Sequence, residues 1–299
     1  MTDTRTARRA LLALLALITA VVATACSGSD GPVATDKPVV VASTDVWAAV
    51  ASAVGGEHAD VTALYSSPDG DPHEFEPSSA DTARVLDANL IVMNGGHYDE
   101  FIATAAQDAK GSKVIAADVR SDPSRGNEHV FYDLVAVADT AEAIADELAR
   151  IAPTNADYYR QRAAEFTGEI DGLKASLAEI KTKHNGQKVA ATEPLAVAIL
   201  ADAGLVDVAP EGFVNAVEQG QSPSAADRAK FDDLISSRTA KVLIYNTQAV
   251  DASTKAVLAA AGKAGIPVVE FTETLPAGTT DFIAWQRAQI DALAKALDS

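Results

Sequence analysis

Residues 154–184 carry Tyr158, Arg162, Phe166, Ile170, Leu173, Leu177 and Ile180 at intervals of three or four, with Pro153 ahead of them and Asn185-Gly186 behind. That spacing and punctuation predict one amphipathic helix over 154–185. Thirty residues of helix reach about 45 Å, so a chain containing it must arrange everything else on either side of a stiff connector. A coiled-coil partner is the alternative, but the stripe covers only about four heptads.

Short β-branched runs recur on both sides: Val39–Ser43, Val61–Tyr65, Leu90–Asn94 and Lys113–Ala117 before the helix, then Val189–Thr192, Leu205–Ala209, Val242–Asn246 and Val268–Thr272 after it. Ala-rich stretches of helical period separate them, which argues for parallel strands joined by crossover helices. The fold class expected is α/β, two four-stranded parallel-sheet lobes over 38–153 and 186–299. Roughly 260 residues are enough for two such lobes.

The first 25 residues stand apart. Arg5, Arg8 and Arg9 precede an apolar run from Ala10 to Val22, and Ala23-Thr24-Ala25 lead into Cys26. This reads as an export signal; the run is shorter than the ~20 residues of a spanning helix and lacks a stop-transfer flank. Cys26 is the only cysteine, which excludes an internal disulfide. Its setting resembles a bacterial lipobox, with Ala23 where a larger aliphatic residue is usual, so Cys26 is the expected lipid acceptor. A plain secretory signal with an incidental thiol is the other reading. Residues 26–37 form a polar linker.

The signal holds three of the 24 Lys+Arg and one of the 42 Asp+Glu, leaving 21 against 41 and a net charge of −20. Such a surface excludes nucleic acid as a partner. Acidity alone says little about cation capture, since it also serves solubility.

In open α/β sheets ligands bind beyond the carboxyl ends of the strands, so polar residues just after each run are candidates. Glu193 and Glu273 occupy equivalent strand-to-helix turns in the second half, although either is also an ordinary helix-start residue. Among five histidines, His58 sits in a solvated turn and His184 at a helix C-terminus favoured by the dipole, and both are read as structural. His73, between Pro72 and Pro77, and His129, beside Phe131 and Tyr132, lie on stiff loops after strands. Imidazoles held that way suit metal capture.

Six strings in order, Asp-Pro-His-Glu-Phe-Glu-Pro-Ser at 71–78, Asn-Gly-Gly-His-Tyr-Asp at 94–99, Glu-His-Val-Phe-Tyr-Asp at 128–133, Ala-Thr-Glu-Pro at 191–194, Ile-Tyr-Asn-Thr-Gln at 244–248 and Glu-Phe-Thr-Glu-Thr-Leu-Pro at 270–276, resemble the zinc/manganese solute-binding lipoproteins of ABC transporters. The match runs from about Val39 to the C-terminus. It implies two four-stranded lobes joined by one rigid helix, with the metal between them. By that resemblance the ligands fall on His73, His129, Glu193 and Glu273, with His97 a possible accessory. The third position is a histidine in many zinc importers and a glutamate in many manganese importers, and this chain lacks a His-rich acidic loop. Two imidazoles with two carboxylates lean toward manganese, yet zinc outranks manganese at most nitrogen and oxygen sites, and both Zn2+ and Mn2+ stay open.

The resemblance implies an extracytoplasmic, membrane-anchored monomer that hands its metal to the permease of a metal ABC importer. No nucleophile elbow, phosphate loop or thiol pair points to an enzyme. A metalloenzyme with an open coordination position, or an adhesin-type lipoprotein on the same fold, are the competing readings.

Overall fold

The computed structural model describes residues 35–299 apart from Gly126, so the 1–25 signal, Cys26 and most of the 26–37 linker lie outside the described residues. No helix among the described residues is long and apolar enough to cross a membrane.

The first lobe runs β1 (Val39–Thr44), α1 (Asp45–Gly55), β2 (Asp60–Tyr65), α2 (Ser79–Asp87), β3 (Leu90–Met93), α3 (Glu100–Asp108), β4 (Ser112–Ile115), the single turn α4 (Ala116–Val119) and α5 (Leu134–Ile151). The connector α6 (Ala156–His184) follows. The second lobe runs β5 (Lys188–Ala191), α7 (Val197–Asp202), β6 (Val206–Asp207), α8 (Glu211–Glu218), α9 (Ala225–Ser236), β7 (Leu243–Asn246), α10 (Ala252–Ala264), β8 (Val268–Phe271) and α11 (Phe282–Leu297). All pairings are parallel, in the orders β2-β1-β3-β4 and β6-β5-β7-β8. Each lobe therefore has the same strand order, and its central strands are mostly buried and largely apolar because helices cover both faces.

Three local differences from the sequence reading have physical causes. The run Lys113–Ala117 leaves the sheet at Ile115, where the Ala117 amide donates to the Asn94 carbonyl (2.9 Å) and the chain winds into α4. The run Leu205–Ala209 keeps only two strand residues. There the Asp207 carboxylate accepts from Ala209 N (2.9 Å) and Ala191 N (3.3 Å), replacing ladder bonds at the sheet edge. In the connector the buried stripe is Tyr159, Ala163, Phe166, Ile170, Leu173, Leu177 and Ile180, so Tyr159 and Ala163 take the inward places read for Tyr158 and Arg162. At 100° per residue, Tyr159 lies about 20° from the line through Phe166 and Tyr158 about 80° from it. Tyr158 packs edge-on against His58 (4.6 Å between centroids), and Arg162 Nε donates to the Ala53 carbonyl (2.9 Å).

One apolar cluster passes without a break from Val40 and Trp47 in the first lobe, along Phe166 to Ile180 of α6, to Val189, Phe271 and Leu293 in the second. Smaller clusters sit under α2 and α3 and under α8 to α10. Between the lobes Tyr132 stacks on Phe271 (5.4 Å, 22°), and its hydroxyl meets the Thr272 carbonyl and Gln289 Oε1, each at 2.7 Å.

Arg125 fastens the same seam. Its guanidinium forks onto Asp202 of α7 (3.0 and 2.8 Å) and its Nε donates to Asp133, the N-cap of α5 (2.8 Å). Hydrogen bonds to charged partners contribute about 1.5–3 kcal/mol, so Arg125→Met is expected to lower apo-protein stability by roughly that amount in urea unfolding. A loss inside the roughly 0.5 kcal/mol scatter of surface substitutions would mean that the fork contributes nothing.

Candidate metal centre

Four turns at the carboxyl ends of strands supply the chemistry. Beyond β2, Pro72–Glu74 forms a 3-10 turn capped by Asp71, whose carboxylate accepts from His73 N (2.8 Å). Pro72 at the first turn position costs no hydrogen bond there, so the loop holds His73 firmly. Beyond β4, His129 precedes the 3-10 turn Val130–Tyr132. The Asn127 side-chain oxygen lies 2.8 Å from His129 Nδ1 and 2.7 Å from its amide. An acceptor at Nδ1 places the ring proton there and leaves the Nε2 lone pair free. Glu193 follows β5 and Glu273 follows β8.

The Nε2 atoms of His73 and His129 approach the same oxygen, Glu273 Oε2, at 3.5 and 3.4 Å. Ligand atoms of these three residues all lie within 4.8 Å of one another. All three atoms are buried, and none has a hydrogen-bond partner among the described residues. Buried polar atoms are almost always paired, so three orphans facing one point fit a cation that each would ligate.

Glu193 is 1% exposed and Glu273 fully buried. One amide serves both: Asn246 Nδ2 donates to Glu273 Oε1 (2.7 Å) and, at closer range, to Glu193 Oε2. Tyr98 packs edge-on against both imidazoles, at 4.7 Å from His73 and 5.5 Å from His129. A pocket beside the cluster is lined by His73, Glu128, Glu218 and Gln219. Glu128, His129 and Glu218 form a second close group, with Glu218 Oε1 4.0 Å from His129 Nδ1.

These groups shift one another. Burial alone would favour neutral His73, but the touching Glu273 carboxylate outweighs it and pushes the ring up to about 9. His129 is likewise raised by Glu273, again against its own burial. Glu273, although buried, is held well below the usual carboxylate range by the two rings. Glu193 rises to about 7, first through burial and then through the Glu273 charge. Glu218 rises to about 8 through burial and its hydrogen bond with Glu128. The metal-free cleft thus holds protons at the atoms that a cation would take.

His97 stands outside this cluster. Gly95, Gly96 and His97 take positive φ in succession (73°, 65° and 77°), which swings the ring out to solvent. Its Nδ1 pairs with Glu100 at 2.6 Å, and the side chain is 86% exposed. Cys26 lies outside the described residues. His184 is buried against Asp298 (3.0 Å) at the far end of the connector.

Sequence reasoning did not single out Asn246, Gln248, Glu128 or Glu218. The first two sit in the Ile-Tyr-Asn-Thr-Gln string, which was the available signal. Glu218 ends α8 in a pattern no different from a solvated helix terminus.

The chain belongs to the family of the periplasmic component A of the zinc-uptake complex, whose model matches residues 40–296. It is 26% identical over 161 residues to the manganese-binding lipoprotein MntA of Bacillus subtilis (strain 168), covering 50% of this chain and 52% of that one. It is 24% identical over 197 residues to the high-affinity zinc uptake system protein ZnuA of the same organism, covering 58% and 60%. These alignments span little more than half the length of the curated relatives. In fold it is similar to the periplasmic zinc-binding protein TroA from Treponema pallidum, with a TM-score of 0.75 at 18% identity over 87% of this chain and 99% of that one.

Proposed function

We propose that the chain captures a divalent transition metal, zinc or manganese, between its lobes and delivers it to the membrane permease of an ABC importer, held at the membrane through Cys26. His73, His129, Glu193 and Glu273 are the ligands in this reading, and His97 is not one. The observation that carries it is the set of three buried orphan atoms, two imidazole Nε2 and one carboxylate oxygen, gathered from loops of opposite lobes. Imidazole and carboxylate together suit either metal, and a buried carboxylate pair balances the double positive charge that two neutral rings leave uncompensated. The relatives' names, one manganese and one zinc, support the class of cargo and not the choice within it.

The deciding experiment is a crystal of protein purified without chelator, with anomalous scattering collected above and below the manganese and zinc edges. One peak bounded by the four residues is expected, and its edge names the metal. In parallel titrations His97→Ala is expected to stay within about twofold of the parent, whereas alanine at any of the four ligands should exceed the 10- to 100-fold loss, roughly, of changes behind a ligand. Loss of binding in His97→Ala with Glu193→Ala unaffected would sink the ligand set.

A further inference from the structure

Gln248 is a buried side chain beyond β7 that reaches both lobes at once. Its Oε1 accepts from the backbone amides of Glu273 (2.5 Å) and Thr274 (3.1 Å). On the other side Nε2 faces Thr274 Oγ1 (2.6 Å) and three backbone carbonyls of the first lobe, Gly70 (3.1 Å), Pro68 (3.2 Å) and Ser67 (3.4 Å). An amide nitrogen has two hydrogens, so it serves two of these four acceptors at a time. Thr274 adds a parallel tie by donating from Oγ1 to the Ser67 carbonyl (2.8 Å). Residues 67–70 lead directly into the Asp71-Pro72-His73 turn, and Gly70 packs where a Cβ would collide with the Tyr65 hydroxyl. One amide therefore joins the turn of Glu273 in the second lobe to the loop of His73 in the first.

The geometry points to Gln248 as a positioning residue whose cross-lobe amide sets how long the metal is retained. This rests on the proposed function above. For the ion to leave, His73 must move away from Glu273. While Gln248 holds residues 67–70 to the Glu273 turn, that movement requires breaking several part-buried hydrogen bonds together, each of which has a cost. Because the ligand turns are already joined before the ion arrives, entry and exit cross the same barrier, and the amide slows both. Gln248 touches no metal ligand side chain, since Asn246 does that work, so its effect is separable from theirs.

The test uses the full chain and Gln248→Met, which keeps the volume and removes both arms of the amide. Zinc-loaded and manganese-loaded proteins are mixed with excess chelator in a stopped-flow instrument, and association is followed separately with apo protein. Release about tenfold faster is expected, at the lower end of the 10- to 100-fold range of changes behind a ligand, with association faster by a similar factor and affinity changed much less. Gln248→Asn, one methylene too short to span both loops, carries the same expectation if the methionine variant does not fold. Equal release rates in parent and variant overturn the proposal, as does faster release without faster association, which a merely loosened site would give. A parent that binds neither metal refutes the proposed function instead, before any variant is compared.

Discussion

Glu273→Gln is expected to weaken zinc and manganese binding by more than about 100-fold while leaving the apo protein folded. The amide is isosteric, and its oxygen can still accept from Asn246, but the charge facing both imidazoles is gone. Because Glu273 is what raises His73 and His129, both rings should relax toward neutrality in the variant, so no unpaired charge is left in the cleft. That is why the fold should survive a change that would be severe if one member of a buried ion pair were removed and the other stayed charged. Chelator-competition titration gives the affinity, and circular dichroism melting gives the fold. Affinity within tenfold of the parent would remove Glu273 from the ligands.

Acidification should have the second-largest effect. A metal binds only neutral imidazole, and His73 in the metal-free cleft is pushed up to about 9. Below that value each captured ion must displace the His73 proton, which costs about tenfold in apparent affinity per pH unit, or about 100-fold between pH 8 and pH 6. His129 is raised too, so the fall should be at least that steep. The sign is fixed by the ligand form: deprotonation favours metal, hence affinity rises with pH and levels off above the folded-state pKa. Calorimetry in buffers of differing ionisation enthalpy should show one or more protons released per ion at pH 7. A flat profile with no proton release would mean that neither histidine ligates. An unperturbed imidazole would place the loss between about pH 6 and 5; the Glu273 contact moves its onset upward.

The two sheets and the connector were legible because their signals are local. Runs such as Leu90–Met93 read as buried strands wherever they occur, and the three-and-four spacing of Phe166, Ile170, Leu173, Leu177 and Ile180 has one interpretation. Where the reading slipped, a side chain had intervened: Asp207 shortens β6 by taking backbone amides, and helical drift over two turns moved the inward place from Tyr158 to Tyr159. Glu193 and Glu273 stood out by position, each just past a strand, whereas His73 and His129 lie further along their loops and stood out through the strings that carry the family resemblance. Gln248 and Asn246 were not, because their role lies in bonds to residues 25 to 181 positions away in sequence, Glu273, Ser67 and Gly70 among them. His97 shows the converse. A histidine after a strand looks available, and only the left-handed backbone at Gly95, Gly96 and His97 shows that its ring is turned outward.

Tyr132, fully buried against Phe271 and Trp285, also constrains how the ion gets in. Parting the lobes along that seam would wet an aromatic side chain of about 200 Å², a cost of about 5 kcal/mol. At 1.4 kcal/mol per decade, only on the order of one molecule in a few thousand is then parted at any instant. Metal arriving from solution meets the other molecules, and the pocket it finds beside His73 is lined by His73, Glu128, Glu218 and Gln219. Capture by this chain should accordingly proceed at a rate sensitive to the charge on Glu128 and Glu218.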